Sequence, residues 1–418
     1  MFWTVFILIS CIKILYIPSY KSTDFEVHRN WLAITSSLPY NKWYTENTSE
    51  WTLDYPPYFA WFEFLLSKIA VYFDPEMLKV DNLNYSSWLT IMFQRLSVIV
   101  TDLVFALGVK SCADTLPSLL GSTAEKHAGG VSRANTLAIL LLSNTGLFLV
   151  DHIHFQYNGF LSGILLLSIG SLGTGNYMLA SVWFSVLLNL KHIYLYIAPA
   201  YGIFMLRSYC FKSTQDGRIL WSSFSLLHLV SLGVAVLANV AIAFGPFLQC
   251  GQLEQVLSRL FPFRRGLCHA YWAPNTWAVY NMVDKVLVVA GKMMGLLDSS
   301  ATVASMTGGL VQDITHTVLP NISPLATAII TLVSMVPALV KLWISPHSVT
   351  MFLRCLVLCA WSSFLFGWHV HEKAVLLIIL PLAILALGSK QEAKYVLSID
   401  SFSKISHGKI LIFYSGST

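Results

Sequence analysis

Long apolar segments alternate with polar ones along the chain, and this pattern predicts membrane-spanning helices. A spanning helix needs about 20 mostly apolar residues. The candidate spans are 2–19, 91–110, 134–150, 159–172, 177–190, 192–206, 223–248, 319–343, 351–367 and 374–388. We interpret the first as a retained spanning helix in which Lys13 extends its side chain to the membrane surface. Segment 276–297 contains three charged residues that are costly at the bilayer centre, and we expect an interfacial or re-entrant element there.

The polar segments between the spans predict the orientation. Basic residues concentrate in one set of connections, which positive-inside statistics assign to the cytosol. These residues are Lys126, Arg133, Arg207, Lys212, Arg218, Lys341, Arg354, Lys390 and Lys394. The opposite, lumenal side then receives segments 20–90, 151–158, 249–318 and 368–373, which are rich in charged, histidine and aromatic residues. Within the first, residues 54–73 have the apolar spacing of an amphipathic helix lying on the membrane.

Composition agrees with this pattern. Of the 418 residues, 56% are apolar and 11% are charged, with a mean hydropathy of +0.64, whereas soluble domains have about 25% charged residues. We therefore expect an all-α multi-pass membrane protein, with a polytopic domain over 1–388 and a divergent polar tail over 389–418. The net charge of +5 forms no concentrated basic face, which argues against nucleic-acid binding. The seven cysteines have no metal-ligand spacing, so we expect no metal.

Four ionisable residues follow the first span directly, in 22-STDFEVHRNW-31. They are Asp24, Glu26, His28 and Arg29. At this depth an acid could take a proton from an incoming hydroxyl while a cation neutralises a lipid phosphate. The alternative is a solvated polar cap on the helix. A further acid, Asp54, lies in 51-WTLDYPPY-58, where two prolines fix the backbone. The alternative there is an ordinary loop-to-helix junction.

A dense polar group occupies 151-DHIHFQYN-158, between two short spans. Its members are Asp151, His152, His154, Gln156 and Asn158. Their mixture of donors and acceptors suits hydrogen bonding to sugar hydroxyls. A metal site is the weaker alternative, because zinc sites usually have a fuller set of ligands.

Cations at headgroup depth occur in two later stretches. The first, 259-RLFPFRRGLCHAYWAPNTW-277, contains adjacent Arg264 and Arg265, which predict either a phosphate clamp or headgroup anchoring. The second, 366-FGWHVHEKAVLL-377, contains His369, His371, Glu372 and Lys373. Ionisable groups at the rim of spanning helices are candidates for function, here for binding a phosphate leaving group.

Five stretches in this order resemble one family, over roughly residues 10–388. STDFEVHRNWL, WTLDYPPY, DHIHFQYNG, RLFPFRRGLCHAYWAPN and GWHVHEKA are similar to motifs of the endoplasmic-reticulum dolichyl-phosphate-glucose-dependent α-1,3-glucosyltransferases. The resemblance implies the membrane glycosyltransferase C fold with large lumenal loops. It also implies dolichyl-phosphate glucose as the donor and a diphosphodolichol-linked oligosaccharide as the acceptor, with inversion at the anomeric carbon. RGLCHAYWAPN resembles the branch that adds the second glucose, so the implied acceptor is already monoglucosylated.

The resemblance also implies residue roles. The family's base corresponds to Asp24, its second lumenal acid to Asp54 and its lumenal histidine to His371. It implies no metal or cofactor. The chain departs from the family pattern after Gly388, so a truncated, inactive form is one alternative. Addition of the first glucose is another. A lipid-linked sugar transporter is a third, although apart from Asp102 the span interiors carry little charge.

Overall fold

The computed structural model describes residues 1–121, 132–214, 218–261, 266–268, 273–297, 316–346 and 348–395. Lys126 and residues 396–418 of the polar tail lie outside the described residues. The α-helices are α1 Phe2–Leu15, α2 Thr23–Ser37, α3 Pro57–Ala70, α4 Trp88–Asp114, α5 Leu116–Leu120, α6 Arg133–Leu142, α7 Thr145–Phe148, α8 Asn158–Gly173, α9 Tyr177–Leu190, α10 Ala198–Tyr209, α11 Leu226–Gln249, α12 Leu253–Leu260, α13 Thr276–Met293, α14 Pro324–Ile344, α15 Val349–Phe366 and α16 Leu376–Ala386.

Shorter elements connect these helices. The 3₁₀ turns are Tyr40–Lys42, Pro75–Leu78, His192–Ile197, Trp221–Ser223 and Glu372–Val375, and a π-helical segment covers Leu149–Phe155. Two-residue strands, β1 Lys212–Ser213 and β2 Ile219–Leu220, pair antiparallel. The chain is therefore almost wholly helical within the described residues.

Five helical segments in the described residues are long and apolar enough to cross a membrane. They are α4, the run Arg133–Phe155 that joins α6, α7 and the π-helical segment, α11, α14 and α15. The shorter apolar helices α1, α8 and α9 coincide with further predicted spans. This confirms the prediction of an all-α multi-pass membrane protein.

Two predicted spans differ in detail from the observed helices. The span expected over 134–150 breaks at Ser143, where Asn144 accepts a hydrogen bond from the Leu147 N–H at 2.9 Å and so starts a new helix. The helical run then continues through α7 and the π-helical segment to Phe155. The span expected over 192–206 begins as a 3₁₀ turn, because Pro199 fits only the first turn of the following α-helix.

Helix α3 corresponds to the amphipathic helix predicted over 54–73. Pro57 begins it, as expected for a residue with a fixed φ and no N–H to satisfy. Phe59, Ala60 and Glu63 are fully buried on the face that packs against α2. Leu65 and Tyr72 are exposed on the other side of this region. Helices α2 and α3, both in the first polar segment, therefore pack against each other.

Glycines allow α8 to lie directly against α4. A Cβ on Gly163 would come within 2.5 Å of the Val104 carbonyl oxygen, and one on Gly108 within 2.4 Å of the Gly163 carbonyl oxygen. Small residues permit this close approach in membrane helices, where packing rather than hydrophobicity drives association. The contact fixes the N-terminus of α8, and therefore the polar segment that precedes it, relative to α4.

Lys13 does not extend to the membrane surface as predicted. It is 7% exposed, and its Nζ lies 2.6 Å from Asp102 Oδ2, on α4. His152 Nε2 lies 2.8 Å from the same oxygen. The buried Asp102 carboxylate explains why Lys13 stays inside the helix bundle. The two opposite charges stabilise each other there, so neither has to be hydrated.

The four polar segments predicted to share one side meet at one end of the helix bundle. Gln156 and Lys373, from the second and fourth segments, both donate hydrogen bonds to Asp24 in the first. The backbone N–H of His369 donates to the Leu267 carbonyl in the third, at 3.0 Å. Residues from all four segments therefore lie close together, whereas 262–265, 269–272 and 298–315 of the third lie outside the described residues.

Candidate active site

Three side chains converge on one oxygen of Asp24. Lys373 Nζ donates to Oδ2 at 2.7 Å and Gln156 Nε2 donates to the same atom at 2.6 Å. His154 Nε2 lies 3.1 Å from it. Within the described part of the chain, Oδ1 has no hydrogen-bond partner. Asp24 is therefore a positioned carboxylate with one oxygen held and the other available.

Local folding brings these partners together. Asp24 lies in the first turn of α2, where a negative charge is favourable at the helix N-terminus. The π-helical segment ends at Phe155, whose φ is +82°, and the chain turns there so that His154 and Gln156 both reach Asp24. π-Helical turns are frequent at functional sites because they shift side chains out of the α-helical register. The hydroxyl of Ser22 donates to the His154 carbonyl and ties the two segments together.

Arg95 anchors the backbone of the π-helical segment and of the residues just before α2. It is 2% exposed on α4, and its guanidinium donates to the backbone carbonyls of His152 at 2.6 Å, Tyr20 at 2.7 Å and Ile153 at 3.1 Å. A guanidinium presents several donors in a rigid plane, which suits such bridging. The backbone on both sides of the Asp24 contacts is therefore anchored to a spanning helix.

The electrostatic environment keeps Asp24 ionised. Burial alone would raise the pKa of its carboxyl. The positive charge of Lys373 and the hydrogen bond from His154 outweigh burial and hold the pKa of Asp24 well below its usual range. The carboxylate is therefore in the charged form that can accept a proton.

A cavity of about 150 Å³ lies next to this group. Its polar lining comes from Tyr55, Gln156, Asn158, Ser162, Lys191, Tyr194, His371 and Lys373. The lining thus includes two of the side chains that bind Asp24. It also includes Lys191, whose Nζ donates to Asn158 Oδ1 at 3.1 Å and lies 5.0 Å from the Tyr55 ring centroid.

Asp54 lies near the same cavity. Burial and then the Asp54 carboxylate raise the pKa of Tyr55, which lines the cavity. The Tyr44 hydroxyl donates to the Tyr55 carbonyl at 2.7 Å and fixes this stretch of backbone. The structure therefore brings the second predicted acid to the neighbourhood of Asp24, where both charges act on Lys191.

Two of the four predicted rim residues line the cavity, and the other two contact residues around it. His371 and Lys373 line the cavity, and His371 Nδ1 lies 2.7 Å from the buried Glu372 carboxylate. Burial and the Lys373 charge lower the pKa of His371 despite that carboxylate. His369 instead contacts the third polar segment, with Nδ1 2.8 Å from the Gly266 carbonyl oxygen. His369 has a φ of +51°, in the left-handed region, and its contacts with Gly266 and Leu267 stabilise this turn.

Glu26, His28 and Arg29, predicted to bind substrate, make buried contacts within the protein. Arg29 is fully buried and pairs with Glu26 through two contacts of 2.7 Å, while its Nη1 donates to the Met77 carbonyl. His28 Nδ1 lies 2.7 Å from Glu63, whose pKa is raised by burial. The structure brings none of these three into contact with Asp24. They connect α2 with α3 and with the loop after it.

Asp151 and His152 also lie in a buried layer rather than against Asp24. Asp151 accepts from the Asn158 side chain at 2.9 Å and from the Gly159 N–H at 2.5 Å, and so caps the N-terminus of α8. His152 binds Asp102 as described above. Arg264 and Arg265 lie outside the described residues.

Sequence reasoning missed Lys191 and Tyr55. Lys191 is a single lysine between two apolar segments, and this pattern predicts only a short connection between two spans. Tyr55 lies between Asp54 and two prolines and could have been singled out, since the prolines orient it. Among the described residues, no group of three histidine, cysteine or acidic side chains has the geometry to hold a metal ion.

The site thus consists of an ionised carboxylate beside a cavity lined by lysines, at one end of a multi-pass bundle. The sequence profile of the ALG6, ALG8 glycosyltransferase family matches residues 9–414. The chain belongs to this family. As a member of the ALG6, ALG8 glycosyltransferase family it is a glycosyltransferase, and its helical fold agrees with the membrane glycosyltransferase C class.

Three relatives show how far the similarity extends. The chain is 57% identical to a mouse (Mus musculus) protein over 387 residues, which are 92% of this chain and 73% of the relative. It is 57% identical to a cattle (Bos taurus) protein over 395 residues, covering 94% and 74%. An Arabidopsis thaliana protein is 45% identical over 400 residues, covering 95% and 74%. Each is called dolichyl pyrophosphate Glc1Man9GlcNAc2 alpha-1,3-glucosyltransferase.

Proposed function

We propose that this glycosyltransferase adds the second glucose during assembly of the lipid-linked oligosaccharide for asparagine-linked glycosylation. The donor is dolichyl-phosphate glucose, and the acceptor is the monoglucosylated, diphosphodolichol-linked oligosaccharide. The product linkage is α-1,3. The names of the relatives support this acceptor and linkage. The observation that carries the proposal is the Asp24 carboxylate, held through Oδ2 with Oδ1 available, beside a cavity lined by cations.

Asp24 is the general base in this proposal. The acceptor hydroxyl attacks the anomeric carbon of glucose, and its proton passes to Asp24. The bond between that carbon and the phosphate oxygen breaks, and its electron pair leaves with dolichyl phosphate. Because attack and departure occur on opposite faces, the β-linked donor gives an α-linked product. A phosphate leaving group is a stable anion, so no general acid is needed, unlike glycoside hydrolysis by a carboxylate pair.

The other site residues support this reaction. Lys373 and His371, with Arg264 and Arg265, bind the donor phosphate. His154 and Gln156 orient Asp24, and Lys373 and His154 hold it ionised. Asp54 is the second acid, close enough for its charge to act on the cavity.

The membrane location follows from the same chemistry. Both lipid-linked substrates are proposed to present their sugars at the endoplasmic-reticulum lumen, where this precursor is completed. The end of the bundle that carries Asp24 is therefore the lumenal end, and the basic connections are cytosolic. Apolar helices such as α11, which is largely exposed, provide the surface that contacts membrane lipid.

An assay with defined lipid-linked substrates tests the proposed function. The full chain is reconstituted with short-chain dolichyl-phosphate glucose and either the unglucosylated or the monoglucosylated acceptor. We expect one glucose to be added to the monoglucosylated acceptor, in a linkage that an α-1,3-specific analysis identifies. Transfer only to the unglucosylated acceptor would assign the first glucose instead. Absence of transfer to both acceptors, with donor binding retained, would contradict an enzymatic role.

A further inference from the structure

Lys191 is a cation in the cavity to which neither the sequence nor the relatives' names assign a role. It lies between α9 and the following 3₁₀ turn. Its ammonium contacts the Asn158 side-chain oxygen and the Tyr55 ring. No carboxylate of the described residues lies within ion-pair distance of it, although the charges of Asp24 and Asp54 act on it from farther away.

Lys373 differs from Lys191 in this respect. Its ammonium is already bound to Asp24 at 2.7 Å, and this contact is a main reason why the carboxylate stays ionised. Part of the charge of Lys373 is therefore used to hold the base, in addition to its place in the cavity lining. A lysine with no carboxylate in contact is better placed to bind an anion that enters the cavity.

The positive charge of Lys373 also acts on the ammonium group of Lys191. Both lysines line the cavity, and after burial the charge of Lys373 is the main factor that lowers the pKa of Lys191, to about 8. The carboxylates of Asp151, Asp24 and Asp54 oppose this effect. An anion bound beside Lys191 offsets the repulsion and favours the charged form of this lysine.

We propose that Lys191 is a catalytic residue that binds the departing phosphate and stabilises its developing charge. The inference rests on the proposed function. The donor is a phosphodiester with one negative charge. As the bond to the anomeric carbon breaks, its electron pair moves to the phosphate oxygen and a second negative charge develops on dolichyl phosphate. Lys191 lines the same cavity as Lys373 and supplies a second positive charge for this developing anion.

The anion could belong to either lipid, because the acceptor carries a diphosphate. The position of the cavity favours the donor, since Gln156 and Lys373 both line it and both bind the proposed base. The leaving phosphate must lie within a few bonds of the carbon that the acceptor attacks. The acceptor diphosphate is separated from its reacting hydroxyl by the whole oligosaccharide.

The test compares Lys191→Met, which keeps much of the length but removes the charge, with Lys191→Arg. We expect Lys191→Met to lower kcat by about 10², with a smaller change in donor KM, because the lost interaction is strongest in the transition state. Inhibition by a short-chain polyprenyl monophosphate should weaken more than donor binding. The control is Lys110→Met, since Lys110 is exposed and pairs with Asp114 on the same helix.

The pH profile provides a readout that a purely structural role would not change. A basic limb of kcat/KM near pH 8 is expected from Lys191, and Lys191→Arg should remove it because arginine does not titrate there. The charges of Lys373, Asp24, Asp54 and Asp151 act on Lys191, and the titratable side chains of Tyr55, Tyr194 and His371 line the same cavity. All of these groups are the same in both proteins. Equal unfolding midpoints of Lys191→Arg and the unchanged protein show that the variant folds.

Several results would overturn the inference. One is a normal kcat for Lys191→Met while Asp24→Asn is inactive, which leaves the proposed function intact. A second is weaker inhibition by polyprenyl diphosphate with unchanged inhibition by the monophosphate, which would assign Lys191 to the acceptor. A basic limb that persists in Lys191→Arg is a third. Full activity of Asp24→Asn would instead contradict the assignment of Asp24 as the base, and absence of transfer by the unchanged protein would contradict the proposed function itself.

Discussion

Replacing Lys13 with methionine tests whether its buried ion pair with Asp102 stabilises the fold. The two side chains are 8% and 2% exposed, so neither has bulk water available to replace a lost partner. Asp102 Oδ2 accepts contacts of 2.6 Å from Lys13 and 2.8 Å from His152. Removing one partner of a buried ion pair costs about 3–5 kcal/mol. We expect Lys13→Met to lower the free energy of unfolding by an amount in this range.

Two comparison variants make the result specific. Lys110 pairs with Asp114, but their side chains are 43% and 61% exposed, and exposed pairs contribute at most about 1 kcal/mol. Lys110→Met should therefore cost less. The double variant Lys13→Met, Asp102→Asn removes the unpaired charge and keeps an acceptor for His152, so it should recover part of the stability. Unfolding in mixed detergent micelles measures all three. The reasoning is refuted if Lys13→Met costs no more than Lys110→Met, or if the double variant is the least stable.

Two further predictions concern helix packing and pH dependence. Gly163→Ala should destabilise the protein by about 1–3 kcal/mol, because its Cβ would come within 2.5 Å of the Val104 carbonyl oxygen. The control, Gly202→Ala, should not be destabilised, because its Cβ would meet nothing within 4 Å. Thermal unfolding compares the two variants. Lys373→Met removes the main charge that lowers the pKa of Asp24, so the carboxylate protonates at higher pH and the acid limb of kcat/KM should move upward. If the acid limb of kcat/KM stays at the same pH in Lys373→Met, the charge of Lys373 is not what lowers the pKa of Asp24.

The sequence predicts the spans well where an apolar run is continuous. The run 177–190 coincides with α9, because nothing within it interrupts helical hydrogen bonding. Boundaries fail where a polar side chain competes with the backbone, as Asn144 does when it starts a new helix inside a predicted span. Hydropathy also assigns Lys13 to the membrane surface, because it cannot detect a partner 89 residues away on another helix.

The candidate site was predictable as a set of stretches but not as a set of contacts. The sequence predicts functional roles for both Asp24 and Lys373, and the structure joins them across 349 positions. The sequence predicts His28 near a lipid phosphate, but its contact with Glu63 depends on how α2 and α3 pack. Lys191 was missed because one lysine between two apolar runs has no distinguishing pattern. Its role becomes apparent only when the cavity brings it near Lys373.

The central claim is that Asp24 takes the proton from the acceptor hydroxyl. Asp24→Asn keeps the size of the side chain and an oxygen that accepts from Lys373 and Gln156, but it removes the basicity. Turnover of the monoglucosylated acceptor is measured for Asp24→Asn, for Asp54→Asn as the competing acid, and for Asp114→Asn as an exposed control. We predict that Asp24→Asn binds the donor normally and loses a factor of roughly 10²–10⁴ in kcat. Normal turnover by Asp24→Asn, with Asp54→Asn inactive, would contradict the account and assign the base to Asp54.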